Sequence, residues 1–306
     1  MARSDLPPLT GLLAIDKPAG LTSHDVVARV RRLTGMQRVG HAGTLDPFAT
    51  GVLVVAVGQA TRLLQFIQER DKSYRAHIVL GVETDTLDVE GTVTARSTPA
   101  RWPELPEVAR AAAELTGHVR QVPPVYSAIK VDGRKLYERA RQGEQVEAPA
   151  REVVIHAVDV RAYEPPEVVI DVSCGTGTYI RSLARDLGDR LGTGAYCHAL
   201  CRTSSGSFDL AQCWTLDELA EIDVRERWPE LAIHPDRALR GTPAVVLGGR
   251  DSDAWCHGLP VNLANSGTST YDVVRAYAED GAFLGVGRID AGHALRPARV
   301  MSASRE

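Results

Sequence analysis

Between Gly40 and Gly51 the chain reads Gly40-His41-Ala42-Gly43-Thr44-Leu45-Asp46-Pro47-Phe48-Ala49-Thr50-Gly51, which sets one carboxylate among small and stiff residues. Asp46 stands directly before the apolar run Val52-Leu53-Val54-Val55-Ala56-Val57. Pro47 restricts the residue before it to extended or turn backbone, so this carboxylate does not belong on a helix face. Held by a stiff loop at the mouth of a strand, it suits a nucleophile or a general base. The plainer alternative is an Asp-Pro turn. His41 and the glycines of the same stretch, which let other groups approach closely, weigh for chemistry.

An ionised Asp46 calls for a nearby cation, and Arg181 is the best candidate. It falls near the start of a predicted helix, where the helix dipole disfavours a cation by ~0.3–1 kcal/mol. A base placed there implies an anion waiting for it. An exposed arginine or an ordinary salt bridge is the alternative.

Several elements must position these groups. Residues 11–15 predict an opening strand. Thr22 or Ser23 caps a helix running to about Leu33, with Val26, Val27, Val30 and Leu33 at helical spacing and Gly35 as its stop. Strands are expected over 52–57, 74–80, 153–160 and 168–174, with a short helix over 60–68 and another over 104–115. Gly175-Thr176-Gly177 leads into the helix of Arg181, whose buried stripe is Ile180, Leu183, Ala184, Leu187 and Leu191. Strands and helices alternate without regular βαβ repetition, which predicts an α+β sheet with helices against it. After Glu230 the character changes. Residues 271–276 and 282–289 face each other across Glu279-Asp280-Gly281, a hairpin within a small β-rich module over 240–306.

A chain of 306 residues accommodates two domains and a proper core. No apolar run has the length of a membrane span, and the N-terminus lacks the apolar stretch of a secretion signal. Five scattered cysteines do not form a disulfide framework and suit a reducing cytoplasm. Cys197-His198-Ala199-Leu200-Cys201 offers metal-ligand types, but no second cluster completes a zinc site, so buried, unliganded cysteines are expected. Gly175-Thr176-Gly177-Thr178 before a helix suggests a phosphate cradle but lacks the lysine of a P-loop and the full dinucleotide fingerprint, which argues against an ATP or NAD site. The net charge of −4 argues against indiscriminate coating of nucleic acid. Basic residues nevertheless cluster over 26–45 and 120–141, on either side of the Asp46 loop and its partner segments. Such segregation predicts a basic face for a phosphate backbone, with Arg31, Arg38, Lys130 and Lys135 as its contacts. Solvated helix faces with no partner are the alternative.

The stretch from Gly40 to Leu53 resembles the signature of the TruB family, bacterial tRNA pseudouridine synthases that act on the T-loop. Further segments agree in order. Ile15-Asp16-Lys17-Pro18-Ala19-Gly20-Leu21-Thr22-Ser23 resembles the family's N-terminal motif, and Lys72-Ser73-Tyr74-Arg75-Ala76 its K-x-Y-x-A motif. Pro123-Pro124-Val125-Tyr126-Ser127-Ala128-Ile129-Lys130 and Gly133-Arg134-Lys135-Leu136-Tyr137 resemble its inserted RNA-gripping segment. Gly177-Thr178-Tyr179-Ile180-Arg181-Ser182-Leu183-Ala184-Arg185-Asp186-Leu187-Gly188 resembles its strand-to-helix arginine motif. The resemblance covers about residues 11 to 220 and departs from the family's Leu-Arg-Arg at Cys201.

The resemblance implies a pseudouridine-synthase-type mixed, mainly antiparallel sheet with flanking helices. The catalytic domain would occupy residues 1–239, with its insert at about 100–150, and a PUA-like RNA-binding module residues 240–306. Asp46 would be the catalytic residue, Arg181 its partner, and Tyr179 and Leu200 part of the uridine pocket. Tyr74 could stack on a uracil or act through its hydroxyl, where a core tyrosine is the alternative. His41 could support a displaced base, or simply cap its loop. The implied reaction turns the T-loop uridine (position 55 of tRNA) into pseudouridine after base flipping, with no metal, nucleotide or redox cofactor. Its partner would be the tRNA T-stem-loop, bound by a cytoplasmic monomer without an obligatory protein partner. Two rivals are a non-catalytic RNA-binding or tRNA-folding protein of the same fold and a guide-RNA-dependent relative.

Overall fold

A computed structural model of the chain describes residues 9–127, 130–131, 133–136, 139, 144, 148–263 and 273–301. Among the described residues thirteen strands precede the C-terminal module. They are β1 (Gly11–Lys17), β2 (Val39–His41), β3 (Thr50–Val57), β4 (Lys72–Leu80), β5 (Val82–Thr84), β6 (Val93–Arg96) and β7 (Gly117–Gln121). Then come β8 (Lys130–Val131), β9 (Arg134–Lys135), β10 (Arg151–Glu164), β11 (Glu167–Cys174), β12 (Ala195–Ser205) and β13 (Phe208–Asp209). Nine of them form one sheet along the path β1-β3-β12-β4-β11-β10-β7, with β2 on β3 and β13 on β12. Every pairing is antiparallel except β12 on β3, which is parallel at Cys201 with Thr50 and Arg202 with Gly51. The sheet is therefore mixed and mainly antiparallel, flanked by helices, as the α+β expectation had it.

The continuous apolar run of β3 reflects burial on both faces. Leu53, Val55 and Val57 enter one core. Val52, Val54 and Ala56 enter the other. Three helices, Ser23–Thr34, Leu105–Ala113 and Ile180–Leu191, close the first core with Val26, Val27, Val30, Val108, Leu183 and Leu187. The predicted helix over 60–68 is a 3-10 turn, Gly58–Leu63, running into a short α-helix, Leu64–Gln68, and together they cover part of the second core.

Five more strands follow among the described residues: β14 (Ala244–Leu247), β15 (Val261–Asn262), β16 (Val274–Ala278), β17 (Phe283–Ile289) and β18 (Ala294–Val300), in the order β14-β16-β17-β18-β15. The predicted hairpin is β16 with β17, turning at Gly281; Tyr271, at its expected start, lies outside the described residues. This module has its own core around the wholly buried Trp255. It also contributes Phe283, Val286 and Met301 to the second core, the one that holds Leu12, Val54 and Leu63. No helix among the described residues is long and apolar enough to cross a membrane.

The two helices nearest the Asp46 loop are fixed at their ends. Thr22 Oγ1 accepts from the Asp25 N–H at 3.1 Å while Asp25 accepts from the Thr22 N–H at 2.9 Å. Such a cap stabilises by ~1 kcal/mol. Gly35 ends that helix in the left-handed region, with φ 66°. The Ile180–Leu191 helix has no capping side chain of its own. The buried amide of Gln121 takes that place, accepting from the Tyr179 N–H at 2.8 Å and donating to the Tyr179 carbonyl at 3.0 Å.

Candidate active site

The Asp46 loop is held one residue at a time by four different elements. Arg202 of β12, wholly buried, donates to the carbonyls of Val52 (2.6 Å), Gly43 (3.1 Å) and Thr44 (3.4 Å). The Leu45 N–H donates to Ser23 Oγ at 2.9 Å, and Ser23 donates back to the Leu45 carbonyl at 3.2 Å. Lys17, also wholly buried, donates to the carbonyls of Leu21 (2.7 Å), Pro18 (2.9 Å) and Pro47 (3.2 Å). The Gly20 N–H adds a bond to the same Pro47 carbonyl at 2.9 Å. Gly51, with φ +99°, lets β3 pass Arg202 so closely that a Cβ there would lie 2.3 Å from the Arg202 carbonyl oxygen.

Onto this fixed backbone comes the guanidinium of Arg181, from the first turn of its helix. Its Nη2 donates to Asp46 Oδ1 at 3.0 Å. Its Nε lies 2.9 Å from Oδ2 with the N–H turned off the line, an ion-pair contact rather than a second hydrogen bond. Nη1 donates to Asp88 Oδ2 at 3.0 Å and to the Thr86 carbonyl at 2.9 Å, and Nη2 also reaches the Tyr126 carbonyl at 3.1 Å. Asp88 is satisfied on its other oxygen by the Thr86 hydroxyl (2.6 Å) and the Glu90 N–H (3.1 Å). Only 4% of the Arg181 and Asp88 side chains is exposed, against 32% for Asp46. One cation thus sits between two carboxylates, and of the three only Asp46 keeps an open edge.

The electrostatics follow from that burial. Desolvation pushes the Asp46 carboxyl up, Arg181 pulls it down and Asp88 adds a push; the net direction is upward. Desolvation also lowers the Lys17 and Lys72 ammonium groups to about 8. His41 is lowered to about 4 by burial and by the neighbouring His24 and Arg202, so its imidazole is neutral near pH 7. Its ring meets His24 edge-on at 5.4 Å, and its Nδ1 is buried without a partner.

The other expected residues distribute around this centre. Tyr74 pairs with Arg202 across β4 and β12 and packs its ring in the core at 8% exposure, where burial raises its hydroxyl. Leu200, paired with Ala76, enters the same core at 7%. Tyr179 is half-buried at the cap of the Arg181 helix. Arg31 and Arg38 are exposed, but Arg31 donates to the Gln37 and Val39 carbonyls and Arg38 to the Thr61 hydroxyl. The side chains of Lys130 and Lys135 lie outside the described residues, although their backbones pair in the β8–β9 ribbon. Of the two cysteines in the Cys197–Cys201 segment, Cys197 is buried, as expected, and Cys201 half-buried; elsewhere Cys174 is buried, Cys213 half-buried and Cys256 exposed. His198, which was weighed with Cys197 and Cys201 as a metal ligand, is exposed and meets the Tyr196 hydroxyl at 3.3 Å.

Sequence reading missed Lys17, Ser23, Asp88 and Arg202. Asp88 lies in an acidic stretch with the pattern of a turn between strands, and only the folded chain shows that its side chain turns inward. Lys17 carried one signal, a lysine ending an apolar strand and followed by proline. Arg202 carried no such signal; only its inward register position in β12 sets it apart.

Comparison with known proteins adds independent findings. Residues 31–180 match the model of the TruB family pseudouridylate synthase N-terminal domain. Residues 181–240 match the tRNA pseudouridylate synthase B C-terminal domain, and 243–301 the pseudouridine synthase II TruB C-terminal domain. The chain is 53% identical over 265 residues to tRNA pseudouridine synthase B of Thermobifida fusca, covering 83% of this chain and 90% of that protein. It is 43% identical over 289 residues to the protein of the same name from Trichormus variabilis, covering 93% and 96%. Among solved structures, an archaeal box H/ACA Nop10–Cbf5 complex contains a chain that matches with a TM-score of 0.74 at 23% identity, covering 99% of this chain and 91% of that one. At that identity the likeness speaks to the fold.

Proposed function

The chain belongs to the TruB family of pseudouridylate synthases and is a tRNA pseudouridine synthase, an isomerase, and we propose that Asp46 is the nucleophile with which it converts the T-loop uridine. In this isomerisation the N1–C1′ glycosidic bond breaks, the uracil turns, and a C5–C1′ bond forms while C5 gives up its proton and N1 regains one. Atoms balance without an oxidant, a metal or a nucleotide. The step needs an ionised carboxylate facing the nucleoside, held so that it does not follow the moving base.

The observation that carries this reading is the contrast within one ion cluster: Arg181 and Asp88 are sealed, while Asp46 keeps a third of its side chain open. A purely structural ion pair would have no use for that opening. Tyr74 and Leu200, which share one core, would line the uracil site together with Tyr179, and His41, neutral near pH 7, can lie against a flipped base without adding charge. Extruding the base costs about a few kcal/mol. Phosphate contacts from the basic segments bearing Arg31, Arg38, Lys130 and Lys135 would offset that cost. Residues 1–239 would form the catalytic domain and 240–306 a PUA-like module that extends the RNA contact. The substrate partner is tRNA, recognised through its T-stem-loop by a stand-alone monomer in the cytoplasm.

The test is to incubate the purified protein with unmodified tRNA and map pseudouridine, with Asp46→Asn as the comparison. Wild type should modify the T-loop uridine without added RNA or protein, and the variant should be silent while still binding tRNA. Activity that appeared only with a guide RNA would sink the stand-alone reading. An Asp46→Asn enzyme as fast as wild type would remove Asp46 from the chemistry.

A further inference from the structure

Arg151, the first residue of β10, is a charged side chain without a counter-ion among the described residues. Its guanidinium carbon lies 4.7 Å from the centroid of the Tyr179 ring, stacked on its face. Its Nε is buried and has no hydrogen-bond partner. The group also lies over the turn before the Arg181 helix, since a Cβ on Gly177 would be 3.9 Å from both Arg151 Cζ and Nη1. That turn is rigid. Arg151 pairs with Gln121 across β10 and β7, and Gln121 clamps the Tyr179 backbone from both sides.

Elsewhere around the site the buried cations meet carboxylates or carbonyls of the protein. Arg181 meets two carboxylates, Arg202 three carbonyls and Lys17 three more. Arg151 has a fixed position, a permanent charge and a half-buried setting, yet nothing on the described protein neutralises it. Stacking on a tyrosine face stabilises a cation and holds the planar fork in one orientation. It supplies no acceptor for the fork's N–H groups. An anion from outside completes the arrangement, and a fork of this kind matches the two free oxygens of a phosphodiester.

We infer that Arg151 is a phosphate-binding residue of the active site, gripping the RNA backbone beside the nucleotide whose base enters the cleft. This rests on the proposed tRNA substrate. The placement follows from the chain itself: Tyr179, on which Arg151 stacks, is two residues before Arg181, which holds Asp46. A phosphate held there would tether the sugar of the reacting nucleotide while its base turns. Tyr179 then has two tasks, bordering the uracil site and carrying the arginine. Arg151 binds and does not take part in bond making.

The experiment compares wild type with Arg151→Gln and Arg151→Lys, measuring tRNA binding, KM and kcat from about 50 to 200 mM salt. Each phosphate contact contributes roughly 0.7–0.9 to the slope of log affinity against log salt. Arg151→Gln should flatten that slope by about this amount and raise KM about tenfold, with kcat within about twofold. Arg151→Lys, which keeps the charge and loses the fork, should restore the slope but only part of the affinity. A glutamine variant with the wild-type slope overturns the inference, whether its KM is unchanged or it loses only kcat. A lysine variant no steeper than glutamine does so as well. Wild-type protein that fails to modify tRNA would instead overturn the proposed function, whatever Arg151 does.

Discussion

The Arg181 guanidinium and the Asp88 carboxylate meet at 3.0 Å with 4% of each side chain exposed, on the side of the guanidinium away from the open edge of Asp46. Asp88 keeps Arg181 turned so that Nε and Nη2 face Asp46, and its negative charge keeps the arginine from being neutralised by Asp46 alone. Asp88→Asn preserves the shape and removes the charge. Arg181 then draws Asp46 closer, and the carboxylate becomes a weaker nucleophile. We expect single-turnover rates to fall about 10- to 100-fold while tRNA affinity stays within about twofold. Asp88→Ala should also lower stability by about 1–3 kcal/mol, because the buried arginine loses one of its two carboxylates and the Thr86 hydroxyl and Glu90 N–H lose their acceptor. Denaturant melts and single-turnover assays separate the two effects; an unchanged rate in Asp88→Asn would leave the acid with a purely structural task.

Lys17 and the Pro47 carbonyl, 3.2 Å apart, join the first strand to the residue after Asp46. Lys17→Met fills the same volume and leaves the carbonyls of Pro18 and Leu21 without a donor, while Pro47 keeps only the Gly20 N–H. Each orphaned carbonyl costs about 1–3 kcal/mol. Chemical denaturation should register the sum as a lower midpoint. Because the freed segment carries Asp46, kcat should drop more than tRNA affinity. Equal losses in kcat and affinity would mean that the lysine steadies the whole domain and not the loop.

The legible part of the fold was whatever local pattern decides. The Ser23–Thr34 helix announced itself by its cap, its valine spacing and Gly35, and β3 by an apolar run that only two covered faces explain. Asp46 and Arg181 stood out because a Pro-fixed carboxylate and a cation at a helix start are each locally out of place. The remainder depends on tertiary geometry. Asp88 reads as one acid among several, and nothing within its own turn says that the Arg181 helix will bury it. Arg202 reads as an exposed strand arginine until the Asp46 loop crosses it. Arg151 is unremarkable until Tyr179 arrives beneath it from a different strand connection.

His41 ties acid sensitivity to the same loop. Its imidazole is lowered from 6.5 to about 4 by burial, with His24 and Arg202 adding to the effect. Between those values the unfolded chain binds a proton that the folded chain refuses. The stabilisation is complete above pH 6.5, is lost as pH falls toward 4, and changes no further below that. His41→Gln removes this proton linkage. Its melting temperature should therefore fall less than that of wild type between pH 7 and pH 5, by about a few degrees. Parallel curves for the two proteins would show that the imidazole takes up protons freely in the folded state.

The charge of Asp46 sets the acid limb of catalysis. Burial raises its carboxyl above the ordinary 3.8, with Arg181 opposing and Asp88 assisting that rise. Only the ionised form is a nucleophile, so the single-turnover rate should fall as pH drops through a midpoint above 3.8. Arg181→Gln removes the opposing positive charge and leaves burial and Asp88 in place, which moves the midpoint further up. Asp88→Asn removes a negative charge that assists the rise and moves it down. Opposite displacements in two variants of one cluster cannot come from general loss of structure, which would shift both alike. Rate-against-pH profiles of the three proteins, each on the same unmodified tRNA, decide the matter: midpoints that coincide would place the controlling ionisation on a group other than Asp46.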